Sequence, residues 1–205
     1  MIWAICLILI NMTNAPYPSG LDQQTEVLIA EITPVKENTE SVLSSIADNV
    51  GMEINDNVRN FIDETAKIES GIYDNPLTVV NPVTQATGMY QFIETEKTNS
   101  VETGLNRLSA KKKDGSYVYF DELPEWVEEA KKHKDIKKLD EDQQTALFLA
   151  NLHQQEGTNE LFKKISEGDM QAKVDMYMRH HYKNIKGKYA ADVSLHAEKI
   201  FFGLS

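Results

Sequence analysis

The 205-residue chain has a single cysteine, Cys6, so no internal disulfide can hold it and cysteine usage does not identify its compartment. Basic residues are also short: 21 Lys and Arg stand against 32 Asp and Glu, for a net charge of −11. That balance lacks the basic footprint of a general nucleic-acid binder, and no nucleic-acid partner is expected. Long apolar runs are missing as well. The N-terminal run Ile2 to Ile10 has nine residues, whereas a membrane-spanning helix needs about 20. There is no H-E-x-x-H and no paired-cysteine spacing. The adjacent His180 and His181 would point about 100° apart on a helix. With His153 and His196 they are expected to be structural or surface groups, and neither a metal nor a cofactor is expected.

The remaining composition, 41% hydrophobic and 26% charged, is ordinary for a globular protein and supports one domain with an extension. Ile2 to Ile10 reads either as the apolar region of a signal peptide cleaved after Ala15 or as a buried or docking segment. No Lys or Arg precedes it, and Pro16 is a poor residue after a cleavage site. Pro16, Pro18, Ser19 and Gly20 form a linker, so residues 1–20 make one unit. Residues 21–52 read as a helical extension broken near Pro34. Val27, Leu28, Ile32 and Val35 mark its first apolar face, and Val42, Leu43, Ile46 and Val50 its second.

Residues 53–205 are expected to form the main domain, all-α or at most α+β. Phe61, Ile62, Thr65, Ala66 and Ile68 recur at helical spacing. Glu69 and Ser70 close that helix, with Gly71 suited to a left-handed C′ position. A loop rich in Asn, Pro and Thr leads to Gly88-Met89-Tyr90-Gln91-Phe92, read as the start of a short helix. Further on, Val101 to Leu108 predicts a helix. Asp114-Gly115 followed by the alternating Ser116 to Phe120 predicts a small β-hairpin. Pro124 at N1 opens a helix, and Asp140 caps the most apolar one, Gln143 to Gln155. Helices from Thr158, from Asp169 and over Val193 to Phe202 complete the domain.

Glu69 is where chemistry is expected. A carboxylate at a helix C-terminus sits at the negative end of the dipole, which disfavours its ionised form and favours a proton donor. The pair E-S-G and G-M-Y-Q-F resembles the signature of the lytic transglycosylase and goose-type lysozyme family, particularly its phage virion-associated members. In that family a glutamate ends a helix as E-S, and G-L-M-Q or G-L-x-Q-F lines the glycan cleft. The match covers Asn57 to Phe92 closely and Glu53 to Ser205 loosely.

The resemblance implies a lysozyme-like fold and a peptidoglycan lytic transglycosylase that cuts between N-acetylmuramic acid and N-acetylglucosamine. Glu69 would protonate the leaving oxygen, then act as base while the muramic acid 6-hydroxyl closes an anhydro ring. The substrate's own acetamido group would stand in for a second carboxylate. Ser70 either hydrogen-bonds glycan or Glu69, or satisfies helix-end carbonyls. Gln91 carries an amide able to read acetamido groups. Met89 and Tyr90 replace the usual Leu-Met, Tyr90 offering a stacking face, while Phe92 belongs to the core. The family's A-Y-N, whose tyrosine contacts the glutamate, has Ala150-Asn151-Leu152 as its counterpart, without tyrosine. Tyr177 or Tyr182 would have to substitute. Asp74, five residues after Glu69, would serve direct hydrolysis if it faced Glu69 across the bond. Lys111 to Lys113 and Lys131-Lys132 read as solvated faces able to hold anionic wall polymer.

The partners implied are peptidoglycan glycan strands and, through residues 1–52, other virion proteins. The place implied is a phage virion acting on the host wall, with a secreted or periplasmic bacterial enzyme as the alternative. An inactive structural virion protein with the same fold is the reading from another class.

Overall fold

The computed structural model describes residues 36–71, 74–82, 84–93, 99–182 and 188–203. These belong to one compact unit, Val35–Ser205. The expectations for residues 1–35, including the apolar run and the first face of the extension, lie outside the described residues.

The unit is all-α. Its helices are α1 (Glu37–Val50), α2 (Asp56–Ser70), α3 (Ser100–Leu108), α4 (Glu125–His133), α5 (Glu141–His153), α6 (Thr158–Ser166), α7 (Met170–Tyr182) and α8 (Lys188–Phe201). A 3-10 turn, Ile136–Lys138, joins α4 to α5. Among the described residues no helix is long and apolar enough to cross a membrane.

Helix α5 is the hub. Every residue from Gln144 to Leu152 is buried, as expected for a helix apolar on all sides and surrounded by others. α1, α3 and α6 pack on it, α6 also packs on α1, α2 and α7, and α8 packs on α7 and α2. Its start is set locally by a capping box. Asp140 accepts from the Gln143 amide at 2.9 Å, and the Gln143 side chain accepts from the Asp140 amide at 3.1 Å. α2 is capped by Asn55, α3 by Asn99 and the first turn of α7 by Asp169, each cap worth about 1 kcal/mol.

Helix α1 is part of this core, which corrects the domain boundary expected at residue 53. Val42, Leu43 and Ile46 are fully buried, each contributing about 1.5–3 kcal/mol by leaving water. No side chain of its own caps α1. Asp142 of α5 does so instead, accepting from the Asn38 and Thr39 amides at 2.9 and 2.8 Å and from the Asn38 side chain at 2.7 Å. Burial opposes its charge, but these hydrogen bonds outweigh that and hold its carboxyl below the usual aspartate range. Trp126 of α4 donates to Asn38 Oδ1 at 2.8 Å, so three helices meet at the start of α1.

His153, at the end of α5, bridges Tyr119 (2.9 Å, Nδ1) and Asn49 (2.8 Å, Nε2). It ties the chain after the expected hairpin to α1. The hairpin itself is reduced to one antiparallel bridge, Lys111 with Tyr117. Tyr119 and Phe120 are both buried, so the side chains stop alternating and no strand continues. Pro124 is the N-cap of α4 rather than its first residue. Gly71 is right-handed (φ −67°), not left-handed. Its amide still reaches the Lys67 carbonyl at 2.9 Å, extending the last turn of α2.

Candidate active site

Glu69 is half-buried at the last turn of α2. The Tyr177 hydroxyl, on α7, donates to Glu69 Oε1. Tyr177 is 4% exposed and lies edge-on to Phe201 (centroids 5.9 Å apart, planes at 70°), which in turn meets Phe61 of α2. The phenol is therefore held by packing, and it fixes one oxygen of the carboxylate. One turn earlier on α7, Lys173 Nζ lies 2.9 Å from Glu64 Oε2, again on α2. Both pairs run in the same chain direction. Four residues on α7 advance about 6 Å and five on α2 about 7.5 Å, so two roughly matched side-chain rungs join these helices. Of the two tyrosines expected to reach Glu69, Tyr177 is the one whose hydroxyl bonds it. The side chain of Tyr182 lies outside the described residues.

The G-M-Y-Q-F segment is a tight turn and not the start of a helix. Thr87 and Phe92 exchange both backbone hydrogen bonds (2.9 and 2.8 Å), and Gln91 N donates to the Gly88 carbonyl at 3.1 Å. Gly88 is left-handed (φ +82°), and a Cβ there would lie 2.5 Å from Gln144 Oε1; glycine is required twice over. Gln91 is also left-handed, at φ +49°. Its side chain is 9% exposed, and Nε2 donates to the Gly88 carbonyl at 2.9 Å. Its Oε1 is buried, with no protein hydrogen-bond partner among the described residues.

Several expected glycan contacts prove to be core. Tyr90 is 2% exposed and stacks on Phe148 at 4.1 Å with the rings nearly parallel, its hydroxyl on Thr145 at 3.1 Å. Burial pushes its phenol pKa well above the ordinary value. An aromatic so enclosed offers no face to a sugar. Met89 is buried beside it, with its amide on Gln144 Oε1 at 3.0 Å. Phe92 is buried, as expected. Ser70 is 1% exposed and donates to the Ala66 carbonyl at 2.9 Å, so of its two readings the helix-end one holds. Asn151 is 3% exposed, donates to the Ser100 carbonyl at 3.0 Å and accepts from Arg107. It braces α3 on α5. Asp74 is exposed in the loop after α2.

Two residues that were not expected at the site join these pieces. Gln144, fully buried, donates to the carbonyls of Leu77, Ile136 and Leu139 at 3.0–3.2 Å and accepts from Met89. One amide thus ties the loop after α2, the 3-10 turn and the G-M-Y-Q-F turn to α5. A polar residue inside an otherwise apolar helix was the available signal. His180, three residues after Tyr177 and so on the same side of α7, lies edge-on to Phe148 (5.2 Å, 85°) and pairs with Gln155 at 2.9 Å. α7 therefore presents Tyr177 to Glu69 and His180 to the ring on which Tyr90 stacks.

Among the described residues no three His, Cys, Asp or Glu groups gather as a metal would require. The side chains of His181 and His196 lie outside the description. Chemically, the arrangement offers a half-buried carboxylate oriented by a buried phenol and a turn with an unanswered amide oxygen. Comparison with protein-family models, with curated proteins and with solved structures gives no match for this chain.

Proposed function

We propose that this protein is a peptidoglycan lytic transglycosylase of lysozyme-like fold, with Glu69 as the acid and then the base. The observation that carries the reading is the Tyr177 hydroxyl on the Glu69 carboxylate at the end of α2. A proton-transfer group works only when held in reach of the leaving oxygen, and a packed phenol supplies that constraint. Glu69 donates its proton to the oxygen between N-acetylmuramic acid and N-acetylglucosamine. The muramic acetamido group stabilises the positive charge at the anomeric carbon. Glu69 then accepts the proton of the 6-hydroxyl as the anhydro ring closes. Gln91 Oε1, buried in the closed turn, serves as acceptor for an acetamido N–H once the turn moves to expose it. No cofactor enters the scheme. The proposed setting is a phage virion that opens the host wall. Because α1 is built into the core, its contacts with other virion proteins are assigned to the chain before Glu37.

A second reading, a structural virion protein retaining the fold, is favoured by the burial of Met89, Tyr90 and Asn151, which leaves fewer side chains to grip a sugar. The two separate on digestion of purified peptidoglycan by wild type and Glu69→Gln, with products identified by mass. Anhydro-muropeptides from wild type alone support the transglycosylase. Reducing-end products lost in the variant mean a hydrolase and bring in Asp74. No products from folded wild type favour the structural protein.

A further inference from the structure

A chain of net charge −11 is repelled by an anionic wall unless its cations are gathered where it meets the wall. Residues 107–113 hold four cations and no carboxylate, and residues 131–138 hold five lysines and one carboxylate, Asp135. These 15 residues carry nine of the 21 Lys and Arg but one of the 32 Asp and Glu. The fold brings the two runs together. Lys131 at the end of α4 donates to Ser109 at the end of α3 (2.9 Å), and Lys134 reaches Glu102 on α3 (2.6 Å). Between them opens a recess of about 210 Å³ lined by Glu102, Leu105, Asn106, Lys131 and Lys134. Lys111, Lys112, Lys113, Lys137 and Lys138 of the two runs are exposed, and among the described residues none of these five forms an ion pair, whereas Lys132 is paired with Glu129 and Lys134 with Glu102.

We infer that this basic face binds a phosphodiester polymer of the cell wall, a polyol phosphate, and so retains the protein on an otherwise repelling substrate. The identity of the polymer rests on the wall-degrading reading above. The chemistry of the face selects among polyanions. Lysine is a mobile point charge suited to phosphates on a flexible chain, and the face's only arginine, Arg107, is turned onto Asn151. Its aromatic ring, Tyr117, is half-buried with Lys111 lying over it at 4.8 Å, so it gives no platform on which bases would stack. The large apolar side chains exposed among the described residues, Ile93, Leu195 and Phe202, lie outside these runs, so nothing here inserts into a lipid surface.

The test uses the full chain carrying Glu69→Gln, which separates binding from cleavage. It is pelleted with wall sacculi that keep their phosphodiester polymer and with sacculi stripped of it by hydrofluoric acid. A second protein adds Lys111→Glu, Lys113→Glu, Lys137→Glu and Lys138→Glu, all at exposed positions, with its urea midpoint confirming the fold. Binding to intact sacculi should exceed binding to stripped ones at least tenfold. It should fall to the stripped level in the quadruple variant and weaken as salt rises. Equal binding to intact and stripped sacculi overturns the inference, as does undiminished binding by the folded quadruple variant. Equal or tighter binding to duplex DNA or to anionic phospholipid vesicles at the same ionic strength overturns the choice of polymer. Phosphate-dependent retention by a protein whose wild type releases no glycan products would leave this face standing and reject Glu69 as an acid.

Discussion

Lys173→Met tests the α2–α7 rungs most directly. In the native fold Lys173 Nζ sits 2.9 Å from Glu64 Oε2, with the lysine side chain 5% exposed and the glutamate 32% exposed. Breaking a buried ion pair from one side costs about 3–5 kcal/mol, because the partner's charge is stranded without water. The two sides are not equivalent here. Lys173→Met strands Glu64, which reaches solvent, so the loss should be about 2 kcal/mol, below that range. Glu64→Gln strands an enclosed ammonium and should cost about 3–4 kcal/mol. Replacing both with Met fills similar volume without a stranded charge and should fall within about 1 kcal/mol of wild type. Urea unfolding followed by circular dichroism reads the difference. With a slope of about 2 kcal/mol per M, Lys173→Met shifts the midpoint by about 1 M and Glu64→Gln by nearly twice that. A double variant that loses the sum of the two single effects would refute the reasoning, as would the reverse order of the singles.

Tyr177→Phe removes the hydrogen bond to Glu69 and keeps the ring against Phe201. It should leave the urea midpoint within about 0.5 M while cutting glycan cleavage about tenfold, the effect of one hydrogen bond. Burial lowers the pKa of His153 below 6.5, so the folded state takes up that proton less readily than the unfolded chain. Its contribution to stability is complete above the unfolded pKa and falls as pH drops through 6.5 towards the folded value. Asp142, held below 3.8, contributes above that pH and its share is lost only as pH falls through the lower folded value. Thermal unfolding from pH 7.5 to 3 should show both falls, and His153→Gln should flatten the first alone. Gln91→Met removes an unsatisfied buried oxygen and should stabilise the fold by about 1 kcal/mol while weakening glycan binding at least tenfold; a loss of stability would show that the amide is structural.

The helices were legible where local rules decide them. Asp140 was legible as a cap, and the apolar run of α5 announces a central helix; Asn55 and Asn99 cap by the same rule but were not expected as caps. What the sequence could not tell was which partner each face meets. The stripe Val42, Leu43 and Ile46 is the same whether α1 lies on an arm or in a core, and the cap that decides it comes from Asp142, about a hundred residues away. Tyr90 was legible as an aromatic at the start of a helix, with a face to offer, and both its turn and its burial escaped the pattern. Its burial follows from Phe148 and Thr145, and no local spacing reveals them. The same holds for Glu69. Its place at a helix end was local, whereas its partner Tyr177 lies 108 residues on.

The turn at Gln91 carries two local penalties at once. A non-glycine residue in the left-handed region costs of order 1 kcal/mol, and a buried acceptor without a donor costs about 1–3 kcal/mol. The second is not forced by hydrogen bonding within the turn. The Gly88 carbonyl already accepts from the Gln91 amide, so the side-chain amide is not needed to satisfy it. Around this residue everything else is over-determined: Gly88 is clamped by Gln144, Met89 by the same side chain, and Tyr90 by Phe148. Strain persisting at one residue inside so constrained a turn points to work done elsewhere than in folding. A donor brought by a ligand is the partner that would recover it. Helix α7 explains how such a ligand could meet Glu69 as well, since Tyr177 and His180, three residues apart, connect the carboxylate to the Phe148–Tyr90 stack beneath the turn. Glu69 and the turn are thereby tied to one helix, so under the proposed function binding at Gln91 and proton transfer at Glu69 would draw on the same packing.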